Sequence, residues 1–150
     1  MTDYSFDHLS REIVDGCSEA VLFSDREGVI RLWNLGAEKL FGFSREEAIG
    51  QSLDIIIPDK LRERHWDGYY RVMGSGETRY ATELLTAPAL CKDGRRLSTE
   101  FSMVLVRDDD GVVQGAGAVI RDVTARWERE KMLKERLAAL ETRAVQTKSE

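Results

Sequence analysis

The imidazole and thiol side chains able to ligate a metal are few: two histidines, His8 and His65, and two cysteines, Cys17 and Cys91, in 150 residues. Between Lys60 and Met73, where a helix is expected, Leu61, His65, Gly68, Tyr69 and Val72 recur at i, i+4, i+7, i+8 and i+11. That spacing puts His65 on one apolar stripe, the face that should meet the rest of the fold. An imidazole there needs a partner, because an unpaired buried polar group costs about 1–3 kcal/mol. Two solutions stay open at this point: a core histidine bonded to a backbone carbonyl, or a metal ligand. His8 sits alone in the N-terminal segment and is expected to face solvent.

The two cysteines are widely spaced and belong to no CxxC or CxxCH run, which speaks against a structural zinc and a covalently attached haem. Both thiols are expected to be reduced. Any cofactor would be held by packing, ion pairs or a single ligand bond. No P-loop, Gly-x-Ser-x-Gly elbow or HExxH run occurs, so no enzyme class suggests itself. Trp33 reads as strand core, and Trp66 as a helix-edge residue near an interface.

The elements that must position His65 are legible in outline. Phe6, Leu9, Ile13 and Val14 give an amphipathic N-terminal helix. Ala20 to Ser24 and Val29 to Trp33 flank Asp25-Arg26-Glu27-Gly28 as a hairpin. Ala37 to Phe41 makes a helical turn ended by Gly42, and Ser44-Arg45-Glu46-Glu47 is a capping box. Ile55-Ile56-Ile57 before Pro58 is expected to be extended. Asp59 is expected to cap the helix that carries His65, and the Gly74-Ser75-Gly76 turn ends it. Thr78 to Pro88, Arg96 to Arg107 and Val112 to Asp122 read as three longer strands joined by Asp-Gly turns. In the middle strand Leu97, Thr99, Phe101, Met103 and Leu105 point one way and Ser98, Glu100 and Ser102 the other. From Ala125 the chain turns helical, with Leu133, Leu137, Leu140 and Ala144 at 4-3-4 spacing.

This order predicts an α+β fold: a five-stranded antiparallel sheet with helices on one face and a helix at each end. The expected division is an N-terminal helix over 1–18, a core domain over 19–124 and a C-terminal helix over 125–150. Net charge of −5 and a pI near 5.2 argue against a nucleic-acid partner. No apolar run reaches membrane-span length, and the first ten residues lack signal-peptide order, so a cytoplasmic location is expected.

Trp33-Asn34, the run Ala37-Glu38-Lys39-Leu40-Phe41-Gly42-Phe43, and Glu46-Glu47-Ala48-Ile49-Gly50 occur in this order. Lys92-Asp93-Gly94 precedes a long strand, and Arg121-Asp122-Val123-Thr124 closes the set. Together they resemble the PAS sensor family over roughly Ile13 to Thr124. The resemblance implies a ligand, or merely a packed core, between sheet and long helix, with signals leaving through flanking helices. His65 to Gly94 is also similar, without a gap, to the oxygen-sensing haem PAS domains of rhizobial-type sensor kinases. That likeness puts His65 on their proximal iron ligand, Arg71 and Arg79 at propionate contacts, and Phe101 and Met103 on the distal wall. Tyr69, on the same stripe as His65, joins the expected lining.

One departure stands out. Those oxygen sensors carry a distal arginine where this chain has Leu85, so a preference for oxygen over carbon monoxide, nitric oxide or redox state does not carry over. Met103 could add a weak sixth ligand or merely pack. Light-sensing relatives need an Asn-Cys-Arg context that neither cysteine supplies. A peroxidase-like role lacks a distal acid–base histidine. The expected function is therefore a haem b sensor of a diatomic gas or redox state, non-enzymatic, homodimeric through its terminal helices, with an unspecified downstream signalling partner. The alternatives are a PAS module for flavin (FAD) or a small organic ligand, and a ligand-free dimerisation domain.

Overall fold

A computed structural model describes residues 1–78 and 83–149. Helix α1 (Phe6–Gly16) leads into strands β1 (Ala20–Asp25) and β2 (Ile30–Trp33), then helices α2 (Leu35–Phe41), α3 (Arg45–Ala48) and α4 (Arg62–Ser75). Strands β3 (Leu85–Leu90), β4 (Arg96–Arg107) and β5 (Val113–Asp122) follow, and α5 (Thr124–Ser149) ends the chain. The strands form one antiparallel sheet in the order β2-β1-β5-β4-β3, which places β2 and β3 at the edges and brings β1 and β5 together at the centre. No helix among the described residues is long and apolar enough to cross a membrane.

Turn chemistry sets the registers. Before β5 the Asp108 amide donates to the Val112 carbonyl (2.9 Å) and the Gly111 amide to the Asp108 carbonyl (3.0 Å). Gly111 stands at φ 80°, a left-handed conformation that costs glycine little. Asp108 Oδ1 also accepts from the amides of Asp110 and Val112, both at 2.9 Å, so the aspartate is built into the turn. Asp25 does the same for the β1–β2 turn, accepting from Glu27 and Val29 at 3.0 Å. The capping box on α3 is formed in both directions.

The alternation read from β4 holds: Leu97 and Thr99 are buried, while Ser102, Val104 and Val106 are exposed. Trp33 is core, 1% exposed, with its ring 5.4 Å from Phe41 and its indole N–H donating to the Phe43 carbonyl at 3.0 Å.

Three local expectations are corrected. Leu53–Ile56 is a 3-10 turn and only Ile57 is extended. In a 3-10 turn residues three apart eclipse, so Leu53 and Ile56 both enter the core, and Ser52 caps the Asp54 amide at 3.1 Å. Asp59 begins a second 3-10 turn and makes no side-chain cap; it pairs instead with Arg62 at 3.0 Å, the first residue of α4. The strand expected from Thr78 starts at Leu85 and runs to Leu90, with Glu83 and Leu84 outside it. Part of that expectation falls on 79–82, outside the described residues.

Candidate cofactor-binding site

Helix α4 is fastened to the β1–β2 side of the molecule over its first two turns and to the end of β4 at its last. Arg62 donates to the carbonyls of Ile57 (3.1 Å) and Asp54 (3.0 Å). One turn on, the Trp66 indole donates to Asp54 Oδ1 at 2.8 Å. Its ring lies so close over Gly28 that a Cβ there would fall 2.0 Å from it. The Tyr69 hydroxyl donates to the Asp25 carbonyl at 2.5 Å; its proton thus used, it accepts from the Ser24 hydroxyl at 2.9 Å. At the far end Arg107 donates to the Gly76 carbonyl. The buried side chains of this helix are Tyr69 and Met73, with Trp66 and Val72 packed beside them. Trp66 is therefore part of the inner face, not the helix-edge residue expected from sequence.

His65 lies half-buried on this helix, its ring 4.7 Å from Trp66 edge-on and 5.7 Å from Tyr69. Its Nδ1 is buried and has no hydrogen-bond partner among the described residues. The backbone carbonyl that a core histidine would use is not among them. Burial pushes its pKa below the ordinary histidine value, while the nearby Asp54 charge pulls it back up. Burial dominates, so the imidazole is neutral near pH 7, the form that ligates a metal.

Across from α4 the sheet offers an apolar wall. Leu85 is directly opposite Phe101, Phe101 opposite Ile120, and Met103 opposite Ala118, so these side chains share the inner face. The strand positions between them are small: Ala87 and Ala89 on β3, Ala116 and Ala118 on β5. Phe101, Met103, Leu105 and Ala118 pack against the core yet stay only partly buried. The helical layer, among the described residues, does not close fully over this end of the sheet.

The structure thus gathers Leu85, Phe101 and Met103 on one wall and sets His65 and Tyr69 on the helix. Tyr69 has spent its hydroxyl and offers a ligand only its ring. Arg71 is exposed and makes no hydrogen bond or ion pair among the described residues. Arg79 lies outside the described residues. No group of three or more His, Cys, Asp or Glu among them could hold a bare ion, so a metal here would bring most of its ligands with it, as a porphyrin does. Sequence reasoning missed Asp54 and Arg62; an aspartate and an arginine flanking a run of isoleucines carry no periodic signal of their own.

The profile of the PAS fold matches residues 14–128. The chain belongs to the PAS family. It is 32% identical over 137 residues to the sensor protein FixL of Bradyrhizobium diazoefficiens, an overlap covering 85% of this chain and 25% of that protein. To the oxygen sensor protein DosP of Escherichia coli K12 it is 28% identical over 122 residues, covering 81% of this chain and 15% of that one. It therefore spans a quarter or less of these relatives. A solved PAS domain from Colwellia psychrerythraea superposes with a TM-score of 0.69 at 26% identity, covering 81% of this chain and 99% of that one. The PAS resemblance and the α+β architecture expected from sequence are both confirmed.

Proposed function

We propose that this PAS domain binds haem b through His65 and reports a diatomic gas or the redox state of iron. The observation that carries the reading is the buried, unpartnered Nδ1 of His65, in a fold whose sheet keeps a partly exposed apolar wall at Phe101 and Met103. The donor set fits the group. A single imidazole, an apolar sheet face and an exposed guanidinium at Arg71 are groups that an iron porphyrin with carboxylate side arms uses, because a guanidinium fork gives a carboxylate two parallel bonds. Arg79 is assigned the same role. The likeness to an oxygen sensor supports gas sensing. When bound, haem supplies an iron coordination position that takes up gas.

The chain's own residues do the rest. His65 is held by a helix anchored at both ends, so it stays in place. Leu85, Phe101 and Met103 exclude water and meet the ligand. Thr124 Oγ1 accepts from the Ser98 amide at 2.9 Å and donates to Asp122, which joins the start of α5 to β4. A displacement of Phe101 or Met103 on β4 is thereby passed to α5, the proposed output helix. In this reading the role is non-enzymatic and cytoplasmic, and the helices over 1–18 and 125–150 flank the sensor and mediate a homodimer. The helices leave stripes that the domain does not cover: Phe6 and Ile13 on α1, Leu133, Leu137 and Leu140 on α5. The absorption spectrum of protein purified from haem-supplemented cells tests the cofactor. A Soret band is expected; flavin bands, or neither, would replace this reading with a flavin module or a ligand-free one.

A further inference from the structure

Among the described residues, helix α5 is joined to its own domain at its first turn, and nothing in it is buried. Besides the Thr124 contacts, the Val123 amide donates to the Ser98 carbonyl at 2.9 Å and Arg126 bonds Glu100 at 2.5 Å. Glu100 lies on the outer face of β4 with its side chain 13% exposed, opposite Thr86 and Arg121. A carboxylate that sheltered requires a partner. Its neighbours Thr99 and Phe101 point the other way, into the fold, so one strand carries the pocket wall on one face and this ion pair on the other. A cleft of about 600 Å³ between β3, β4 and the first turns of α5 gives Arg126 room to leave.

The leucine spacing of α5 can be continued upstream. From Leu140, Leu137 and Leu133 the 3-4 repeat reaches Glu130, then Arg126, then Val123. The seam of a parallel pair of helices would therefore carry two successive polar layers, Arg126 and then Glu130, before its leucines begin. In the single chain Arg126 leans to Glu100, with Glu130 farther off at 3.9 Å.

We propose that Arg126 is a latch with two alternative partners: Glu100 of its own sheet, and the Glu130 layer contributed by a second copy of this chain. Latched, Arg126 holds the base of α5 on β4 and keeps the first heptad of the seam apart. Released, it joins the seam and the paired helices zip toward the domain. A shift of β4 at Phe101 moves Glu100 with it, so the pocket biases the choice. The latch rests on α5 being a dimer seam and is independent of what the pocket binds.

Sedimentation equilibrium on the full chain, together with hydrogen exchange at the Val123 amide, tests it. Glu100→Gln should speed exchange at Val123 and tighten the dimer, each by about two- to fivefold, the scale of a partly exposed ion pair. The exchanged pair, Glu100→Arg with Arg126→Glu, should restore protection at Val123 while weakening the dimer, since the carboxylate introduced at position 126 would then face Glu130. A dimer constant unchanged in Glu100→Gln overturns the latch alone. A wild type that is monomeric at hundreds of micromolar, far above useful affinities, overturns the seam and the latch with it.

Discussion

Asn34 organises more of this domain than any other single polar side chain described. Fully buried, it accepts from the Val21 and Ala37 amides at 2.8 and 2.9 Å and donates to the Val14 and Glu19 carbonyls at 2.7 and 3.0 Å. It thereby joins the end of α1, the start of β1 and the cap of α2. Asn34→Ala should destabilise the domain by about 2–4 kcal/mol in a denaturant melt, because several buried groups lose their partner at once. Trp33-Asn34 was visible in the sequence as a family mark, but not the reason for it, since the five partners, Cys17 Sγ at 3.4 Å included, lie 3 to 20 residues away. Glu47 gives a second test. Hydrogen bonds from Lys92 and from the Ser44 amide hold its carboxyl down at about 2. Its contribution is complete above the ordinary carboxylate value and is lost as pH falls toward 2, so stability should drop across that window. Glu47→Gln should flatten that acid limb in melts taken at successive pH values. Leu85, opposite Phe101, gives the third. On the haem reading proposed above, a gas at this wall would meet no unused donor among the described residues, the Thr99 hydroxyl being given to the Ala87 carbonyl, and Leu85→Arg should raise oxygen affinity relative to carbon monoxide by about ten- to a hundredfold, the worth of a hydrogen bond from a charged donor. Equal gas titrations in wild type and variant would place residue 85 away from the ligand.

At the scale of elements, α4 and β4 divide the work. α4 is tied to the β1–β2 side through Arg62, Trp66 and Tyr69, and β4 is the member that carries the inner apolar wall on one face and the contacts to the base of α5 on the other. Gly28 makes the fixation testable. Gly28→Ala puts a methyl group into the Trp66 ring and strains a backbone at φ 79°, so it should lower the melting temperature and loosen haem retention together. Loss of stability with haem retention intact would show that α4 does not need this contact to present His65. The period-two pattern of β4 and the 3.6 pattern of α4 were legible because each buries one face. The approach to α4 was not: the isoleucine run looks like a strand, and only Ser52 capping with Leu53 and Ile56 eclipsed in the core makes it a 3-10 turn. His65 was legible as an inward-facing residue, whereas its missing carbonyl partner is a tertiary fact that no spacing encodes.

Across the whole molecule, a compact sensor sits between two helices whose apolar stripes stay exposed in the single chain. Light scattering at tens of micromolar, a concentration at which a weak seam should be populated, is expected to show a dimer, and Leu137→Glu to shift it to monomer without unfolding the sheet. The central claim is that His65 holds the cofactor, and haemin titration of apo-protein tests it most directly. Wild type should develop a Soret band that saturates at one haem per chain. His65→Ala should keep its circular dichroism and melting transition but show no saturable band. A variant that binds haemin with the same stoichiometry and spectrum as wild type would contradict the account.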